Sequence, residues 1–467
     1  MARLSKLVPL ALVAGAALLV WRIFFPALMS FDSWVQLRQA WAGRYDDWHP
    51  PLMAIVLHQC FRLGRGIGLV TFVQCLAGLL GVRALAAAWL EAVRGPAVPP
   101  RRAGWIAAGV ALLLLLSPLP FYLATFWKDS WAAVILVWVC ALSLRALPAS
   151  CPPRPHPLAP SPLRGEGERG SGNFAALALL AVLLGLVRHN AVVVLPVTGL
   201  VLAVALWRRS RAAGVVLALA PLIACLLAER AIDAAFDVQP RHLERLMMVF
   251  DLAGVCAEDA RACAELPYAR RQAGGGDLAG RYVPGDMGRS FPHGILVREE
   301  DAAALRGEYL RALRRFPGLL ARVKVEAFAP LLDPNGARMV IYRGLDANEF
   351  GLRLNPRFAA VRERWTRAMV WAGEQSPLLR PLVGSHLIWF LLNVLGIGLL
   401  LASPGRRSLA LVLLQPLAFS LSYLLATPEP DYRFLYPSTL VIQCVALSWM
   451  LGWALGGTLQ KPTGRAP

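Results

Sequence analysis

Long apolar runs separated by short charged segments dominate the chain. A run must reach about 20 residues to cross roughly 30 Å of hydrocarbon at about 1.5 Å per residue. Runs at or near that length predict spans over 8–28, 67–90, 104–123, 131–147, 174–187, 191–206, 212–232, 381–402, 409–426 and 437–457. Only residues 237–380 form a long stretch of mixed polarity. The pattern predicts an all-α polytopic membrane protein of about ten transmembrane helices. Its parts are an N-terminal transmembrane module (1–236), a mainly helical polar domain (237–380) and C-terminal transmembrane helices (381–467). Residues 30–50 are expected as the first external loop. Residues 51–63 are too short to span and predict a helix at the membrane boundary. The Pro-, Gly-, Arg- and Ser-rich stretch 148–172 is expected to be disordered. The Gly- and Arg-rich stretch 270–294 is expected to be a mobile loop, and the helical spacing over 298–326 predicts one amphipathic helix on the membrane surface. The first run is longer than a signal-peptide core and no small-x-small site follows Phe25-Pro26, so it is expected to stay as a span.

Composition agrees: 57% of residues are hydrophobic and 16% charged, against about half and a quarter in soluble domains. A net charge of +19 first suggests an anionic partner such as nucleic acid, and its distribution removes that reading. Six short segments carry 16 Lys/Arg and three acids, Glu91, Glu166 and Glu168. They contain Arg3 and Lys6; Arg94 to Arg102; Arg145 to Arg169; Arg208 to Arg211; Arg406 and Arg407; and Lys461 and Arg465. Residues 237–380 carry 22 Lys/Arg and 18 Asp/Glu. The positive-inside rule then places the six segments and both termini in the cytoplasm, and residues 30–50, 188–190 and 237–380 outside. The excess basic charge sets orientation among membrane lipids; no nucleic-acid partner is expected.

Topology sorts the polar residues, and four clusters fall on the outer side. The first is Asp32 with Tyr45-Asp46-Asp47-Trp48-His49-Pro50-Pro51, where the prolines fix the entry to the next helix. The second is Phe126-Trp127-Lys128-Asp129; adjacent helical residues do not face one another, so Lys128 and Asp129 each need another partner. The third, Arg188-His189-Asn190, interrupts an apolar pair of helices and offers a fork of donors suited to phosphate. The fourth, Glu429-Pro430-Asp431-Tyr432-Arg433-Phe434-Leu435-Tyr436-Pro437, precedes the last span. Each alone is also what an interfacial loop, a helix cap or a snorkelling arginine looks like. Together on one side of the membrane they point to a catalytic or transport site. Cys256 and Cys263 are the two cysteines of the outer region; an oxidising compartment favours a disulfide between them, two free thiols being the alternative. No Cys-x-x-Cys or His-x-x-x-His spacing marks structural zinc.

With Phe31-Asp32 followed by Asp46-Asp47-Trp48-His49-Pro50-Pro51-Leu52, then Lys128-Asp129 and Asp431-Tyr432-Arg433-Phe434-Leu435-Tyr436-Pro437, the chain resembles the GT-C superfamily of polytopic glycosyltransferases. That group includes protein mannosyltransferases and aminoarabinose transferases. The resemblance covers roughly 1–200 and 380–460. It implies a GT-C-like bundle in the bacterial inner membrane, with an extracytoplasmic site that moves a sugar from a polyprenyl-phosphate carrier to an envelope acceptor with inversion. It implies Asp32 as base, with Asp129 and His49 assisting. Arg433, Arg188 and Lys128, with Tyr432 and Tyr436, are implied for the lipid phosphate; Asp46, Asp47, His189 and Asn190 are secondary or acceptor-side candidates. Many members have two adjacent acids in the first loop, whereas Asp32 is followed here by Ser33, so a divalent cation is left open. A flippase of lipid-linked sugars and a non-catalytic assembly subunit are the competing readings. A flippase would want charge through the middle of several spans, where only Arg22 and Arg83 stand out.

Overall fold

The computed structural model describes residues 4–94, 98–147, 166–207, 210–268, 282–291, 297–333, 339 and 341–456. The first eleven helices used below are α1 (Leu4–Phe24), α2 (Phe31–Ala42), α3 (Leu52–Arg62), α4 (Ile67–Arg94), α5 (Pro100–Leu113), α6 (Leu119–Ala124), α7 (Lys128–Ala146), α8 (Glu166–Val187), α9 (Val194–Leu206), α10 (Arg211–Phe236) and α11 (Leu243–Glu258). Among the described residues, extended pairing is limited to two isolated parallel bridges, Leu28 with Thr125 and Asp46 with Gln239. Seven helices there are long and apolar enough to cross a membrane: Leu7–Phe24, Ile67–Arg94, Lys128–Ala146, His189–Leu206, Arg211–Phe236, Pro404–Leu424 and Tyr436–Leu455. Three apolar helices are shorter, Leu52–Arg62, Asn173–Val187 and Leu387–Ala402. The chain is an all-helical polytopic membrane protein, and among the described residues seven of the ten expected spans reach full length.

Local chemistry accounts for the differences. The expected span 104–123 is broken between α5 and α6, because Pro118 and Pro120 lack a backbone N–H to donate. Ser117 closes the break, its Oγ donating to Leu114 O at 2.7 Å. The expected loop 30–50 is helical over α2. Ser30 and Ser33 cap its start reciprocally, and Gly43, at φ +63°, ends it in the left-handed region. Of the stretch expected to be disordered, 148–165 lies outside the described residues, whereas 166–172 extends α8, beyond the last proline at Pro162. The expected mobile loop 270–294 lies largely outside the described residues; its described part, 282–291, ends in a one-turn helix, Met287–Ser290.

Helices α4 and α7 form the centre: 61% and 78% of their apolar windows are buried, against 17% for α10 at the lipid-facing edge. Helix α7 packs against α4, α8 and the last helix, Tyr436–Gly456. Helices α9 and α10 approach so closely that a Cβ at Gly199 would meet the Ala218 carbonyl oxygen at 1.9 Å, the use that membrane helices make of small residues.

The polar region builds its own small core from Leu252, Val255, Leu305, Ala312, Leu320 and Val323. The single helix expected over 298–326 is two, Ala302–Arg315 and Pro317–Leu332, interrupted at Pro317. Their apolar faces pack on α11, so the amphipathic pattern records a protein contact. Cys256 and Cys263 form a disulfide at the end of α11. The region grips the bundle just before the fourth cluster: Met287 N donates to Pro428 O at 2.8 Å, and Lys324 Nζ donates to Leu425 O. An extended strap over 341–355 returns to the bundle, stacking Phe350 on Trp34 and donating from Asn355 N to Phe25 O at 3.1 Å.

Candidate active site

Backbone pairing at the Leu28 bridge assembles the site. Leu28 N donates to Ala124 O at 2.9 Å, and Phe126 N donates to Leu28 O at 3.0 Å. Ser33 Oγ donates to Phe126 O at 2.5 Å, and Trp127 Nε1 donates to Ser30 Oγ. These bonds pin the start of α2 to the start of α7. Asp32, in the first turn of α2, therefore faces Lys128, in the first turn of α7, with Oδ2 and Nζ 3.9 Å apart.

The fourth cluster completes the arrangement. Asp431 caps a 3-10 turn, Tyr432–Phe434, by accepting from Arg433 N at 2.9 Å. The turn aims Arg433 at the first loop: Nη1 donates to Asp32 Oδ2 at 2.7 Å, Nη2 to Glu429 Oε1 at 2.9 Å, and the guanidinium lies over Trp127, 5.5 Å from its centroid. His386 supports the turn from behind. Its ring stacks on Tyr432 at 4.0 Å, Nε2 donates to Tyr432 O at 2.7 Å, and Nδ1 accepts from Thr439 Oγ1 at 2.6 Å. His49, placed by Pro50-Pro51, bonds through Nδ1 to Lys128 Nζ and holds Nε2 3.7 Å from Asp32 Oδ1.

Four separate segments thus bring Asp32, His49, Lys128 and Arg433 together, with side-chain exposures of 16, 5, 11 and 9%. Burial works to raise the Asp32 pKa; Arg433 first, then Lys128 and His49, outweigh it and hold the carboxyl below its ordinary range. Burial, then the Lys128 charge, pushes the His49 imidazole down to about 3, so it is neutral at pH 7. Asp431 goes the other way: burial pushes it up to about 6 despite Arg433.

Asp129 turns from Lys128 to a different partner, Arg188, with Oδ1 and Nη1 3.0 Å apart and no exposure of the Asp129 side chain. Arg188 also donates through Nη2 and Nε to Tyr423 Oη at 2.7 and 3.2 Å, and lies over Phe434 at 5.1 Å. Phe434 thus lies against both Arg188 and Arg433, the latter 5.3 Å from its centroid.

Other expected site residues go elsewhere. Tyr432, in the 3-10 turn, donates its hydroxyl to Val383 O at 2.7 Å, and Tyr436, the first residue of the last helix, stacks on Tyr122 at 4.0 Å; neither hydroxyl bonds the Arg433 guanidinium. Asp46 accepts from Gln39 Nε2 at 2.8 Å and Arg241 Nε at 3.0 Å, and Asp47 accepts from Arg241 N. These two acids fasten the first loop to residues 239–241. His189 pairs with Glu229 of α10 at 3.7 Å. Asn190 follows it in the 3-10 helix His189–Val193 and makes none of the bonds that join the Asp32 cluster.

Tyr423, Glu429, His386 and Trp127 enter the site without having been singled out. Glu429 and Trp127 lie within the sequence clusters; Tyr423 and His386 are hidden beside apolar helix, where nothing in the pattern sets them apart. Gln36, one turn beyond Asp32, is buried with neither amide atom hydrogen-bonded among the described residues. No group of three His, Cys, Asp or Glu side chains gathers among the described residues, and the cations beside Asp32 suit an anion.

Two cavities flank the cluster. One of about 780 Å³ is walled by Trp21, Phe25, Trp41, Phe61, Phe72 and Phe350, with Arg65 and Arg353 at its rim. Trp41 stands nine positions beyond Asp32, half a turn round α2 at 100° per residue, so this cavity lies across the helix from the cluster. A second, of about 220 Å³, is wholly apolar, and Leu52, Phe126, Trp131 and Val187 in its wall adjoin the His49, Lys128 and Arg188 segments in sequence.

No protein-family model and no curated protein matches the chain. The chain is similar to ArnT from Cupriavidus metallidurans, seen in a crystal structure bound to undecaprenyl phosphate: 17% identity over 92% of this chain and 77% of that one, at a TM-score of 0.33. A superposition this loose leaves function to be argued from the residues.

Proposed function

We propose that the protein is an inverting glycosyltransferase that takes a sugar from a polyprenyl-phosphate carrier and passes it to an envelope acceptor on the extracytoplasmic side of a bacterial inner membrane. The observation that carries this reading is the convergence of a charged, mostly buried Asp32 with Arg433, Lys128 and His49 at the ends of apolar helices. A carboxylate within reach of an acceptor hydroxyl takes its proton as the oxygen attacks. A lipid phosphate leaves with its negative charge, so it needs fixed donors more than a proton, and Arg433 and Lys128 provide them in a site of low dielectric. Glu429, half exposed on a Pro-Glu-Pro segment, occupies part of the Arg433 fork and stands where a phosphate oxygen would be bound. The apolar cavity of about 220 Å³, whose wall adjoins the His49, Lys128 and Arg188 segments in sequence, supports a substrate with a charged head and a hydrocarbon tail.

Competing readings have less to rest on. A carrier of lipid-linked sugars needs charge along a path through the membrane, whereas the charged groups here gather at one end of the bundle. A non-catalytic subunit gives no reason to bury four ionisable side chains together at several kcal/mol of desolvation each. The test is to identify, by mass spectrometry, the lipid that copurifies with the protein, and to offer polyprenyl-phosphate sugars with extracted envelope acceptors to the protein in nanodiscs. A copurifying lipid-linked sugar and transfer of that sugar are expected. Lipid translocation without transfer would favour the carrier.

A further inference from the structure

We infer that His49 is a hydrogen-bond donor to the acceptor hydroxyl, held in the required tautomer by Lys128, and that the gap between His49 Nε2 and Asp32 Oδ1 is the slot for that hydroxyl. The inference rests on the transferase reading above and assigns the acceptor a place within it.

Tautomer and geometry carry the argument. With Lys128 as an ammonium, which has three donors and no acceptor, its bond to His49 Nδ1 requires Nδ1 to accept and the ring proton to sit on Nε2. That nitrogen is buried and has no hydrogen-bond partner among the described residues, in a side chain only 5% exposed. It faces Asp32 Oδ1 across 3.7 Å, too far for a direct bond. An oxygen off the line between them can lie about 2.8 Å from each atom, within hydrogen-bond range of both. A hydroxyl there accepts from Nε2–H, donates to Oδ1 and keeps one lone pair for attack. A buried donor left unbonded is costly, which is the reason to expect a ligand group in the gap.

In the reaction the hydroxyl proton passes to Asp32 Oδ1 as the acceptor oxygen bonds to the anomeric carbon. The bond from that carbon to the phosphate oxygen breaks, and its electron pair leaves on the lipid phosphate. His49 keeps its proton throughout. It is a positioning donor, and Lys128 acts on the acceptor through it.

The assignment is tested by nitrogen-15 NMR of histidine-labelled full-length protein in nanodiscs, with acceptor kinetics alongside. His49 in the wild type is expected to be neutral with its proton on Nε2, and Lys128→Met is expected to mix or reverse the tautomers. His49→Phe is expected to raise the acceptor KM at least tenfold with donor KM unchanged. His49→Gln, whose amide nitrogen reaches near the Nε2 position, is expected to recover most of that loss. A wild-type proton on Nδ1, or a His49→Phe protein with unchanged acceptor KM, overturns the slot while leaving the transferase reading intact. Absence of wild-type transfer with every donor overturns that reading, and the slot with it, whatever the tautomer. Should His49→Phe not fold, the Lys128→Met spectrum and the His49→Gln kinetics decide.

Discussion

Two buried carboxylates in different regions of the molecule meet cations to different ends. Asp251, in the small core of the polar region, is matched one to one: Lys324 Nζ lies 2.5 Å away and Tyr309 donates to the same oxygen at 3.0 Å. Burial raises its pKa in spite of Lys324, the condition of a group whose surroundings do no more than tolerate its charge. Asp32 faces Arg433, Lys128 and His49, and its pKa is lowered even though burial opposes the charge. The first arrangement ties α11 to the helix Pro317–Leu332. The second holds a carboxylate ionised with cations beside it, the condition that the proposed base and leaving phosphate require. A buried ion pair is weak evidence of function by itself; an excess of cations around one partly open carboxylate is stronger.

The difference can be broken at several points. Replacing Arg433 by Met removes the donor shared by Asp32 and the proposed leaving phosphate. Loss of one such electrostatic donor typically costs about 10²–10³ in kcat, and steady-state kinetics should show at least that, with the protein still monodisperse. Arg188→Met strands Asp129, which has no exposure, and a buried charge without its partner destabilises by about 3–5 kcal/mol. Thermal unfolding in detergent should report that loss, and the double variant with Asp129→Asn should recover much of it. Asp251→Asn leaves Lys324 its bond to Leu425 O. It should lower Tm by a few degrees at most and leave kcat of the folded protein within about twofold, because neither Asp251 nor Lys324 makes any of the bonds that join the Asp32 cluster.

Asp431 gives a pH signature of the opposite sign to Asp32. Its folded pKa is raised to about 6 from the ordinary 3.8, so its stabilisation is full below about pH 4 and is lost as pH rises through 6. Asp431→Asn should therefore gain in Tm over the wild type as pH moves from 4 to 7. Asp32, with a lowered pKa, contributes stability above its unfolded value that is lost only as pH falls below the ordinary carboxylate range. The smallest effect is expected at Glu429. Exposed pairs are weak, so Glu429→Gln should lower the donor KM about two- to threefold without changing kcat, by freeing part of the Arg433 fork.

The spans were legible because apolar runs of the required length have few alternatives in a membrane. Breaks inside them were less so: the prolines at 118 and 120 were present in the sequence, but a kinked span and two shorter helices have the same composition. Helix α2 escaped the reading because its buried face is mixed, with Ser33 and Gln36 packed beside Leu37 and Ala40, so no continuous apolar stripe marks it. For the site, the clusters around residues 32, 128, 188 and 433 were visible as polar residues at span ends. Their pairing was not. Arg433 reaches Asp32 across 401 residues, and the other partner that Asp129 was expected to need is Arg188. That pairing is set by the backbone bonds between Leu28 and residues 124–126, which leave no trace in side-chain pattern. The aromatic candidates Tyr432 and Tyr436 show the converse: one lies in a 3-10 turn and the other opens the last helix, and sequence proximity to Arg433 says little about where they point.

The most direct test of the account is sugar transfer by the protein in nanodiscs, from the polyprenyl-phosphate sugar found to copurify with it, measured for wild type and Asp32→Asn at matched folding. The account predicts transfer by the wild type and a loss of about 10²–10⁴-fold in kcat for Asp32→Asn, the range that a general base supplies, with the donor still bound. Transfer by Asp32→Asn at the wild-type rate would contradict it.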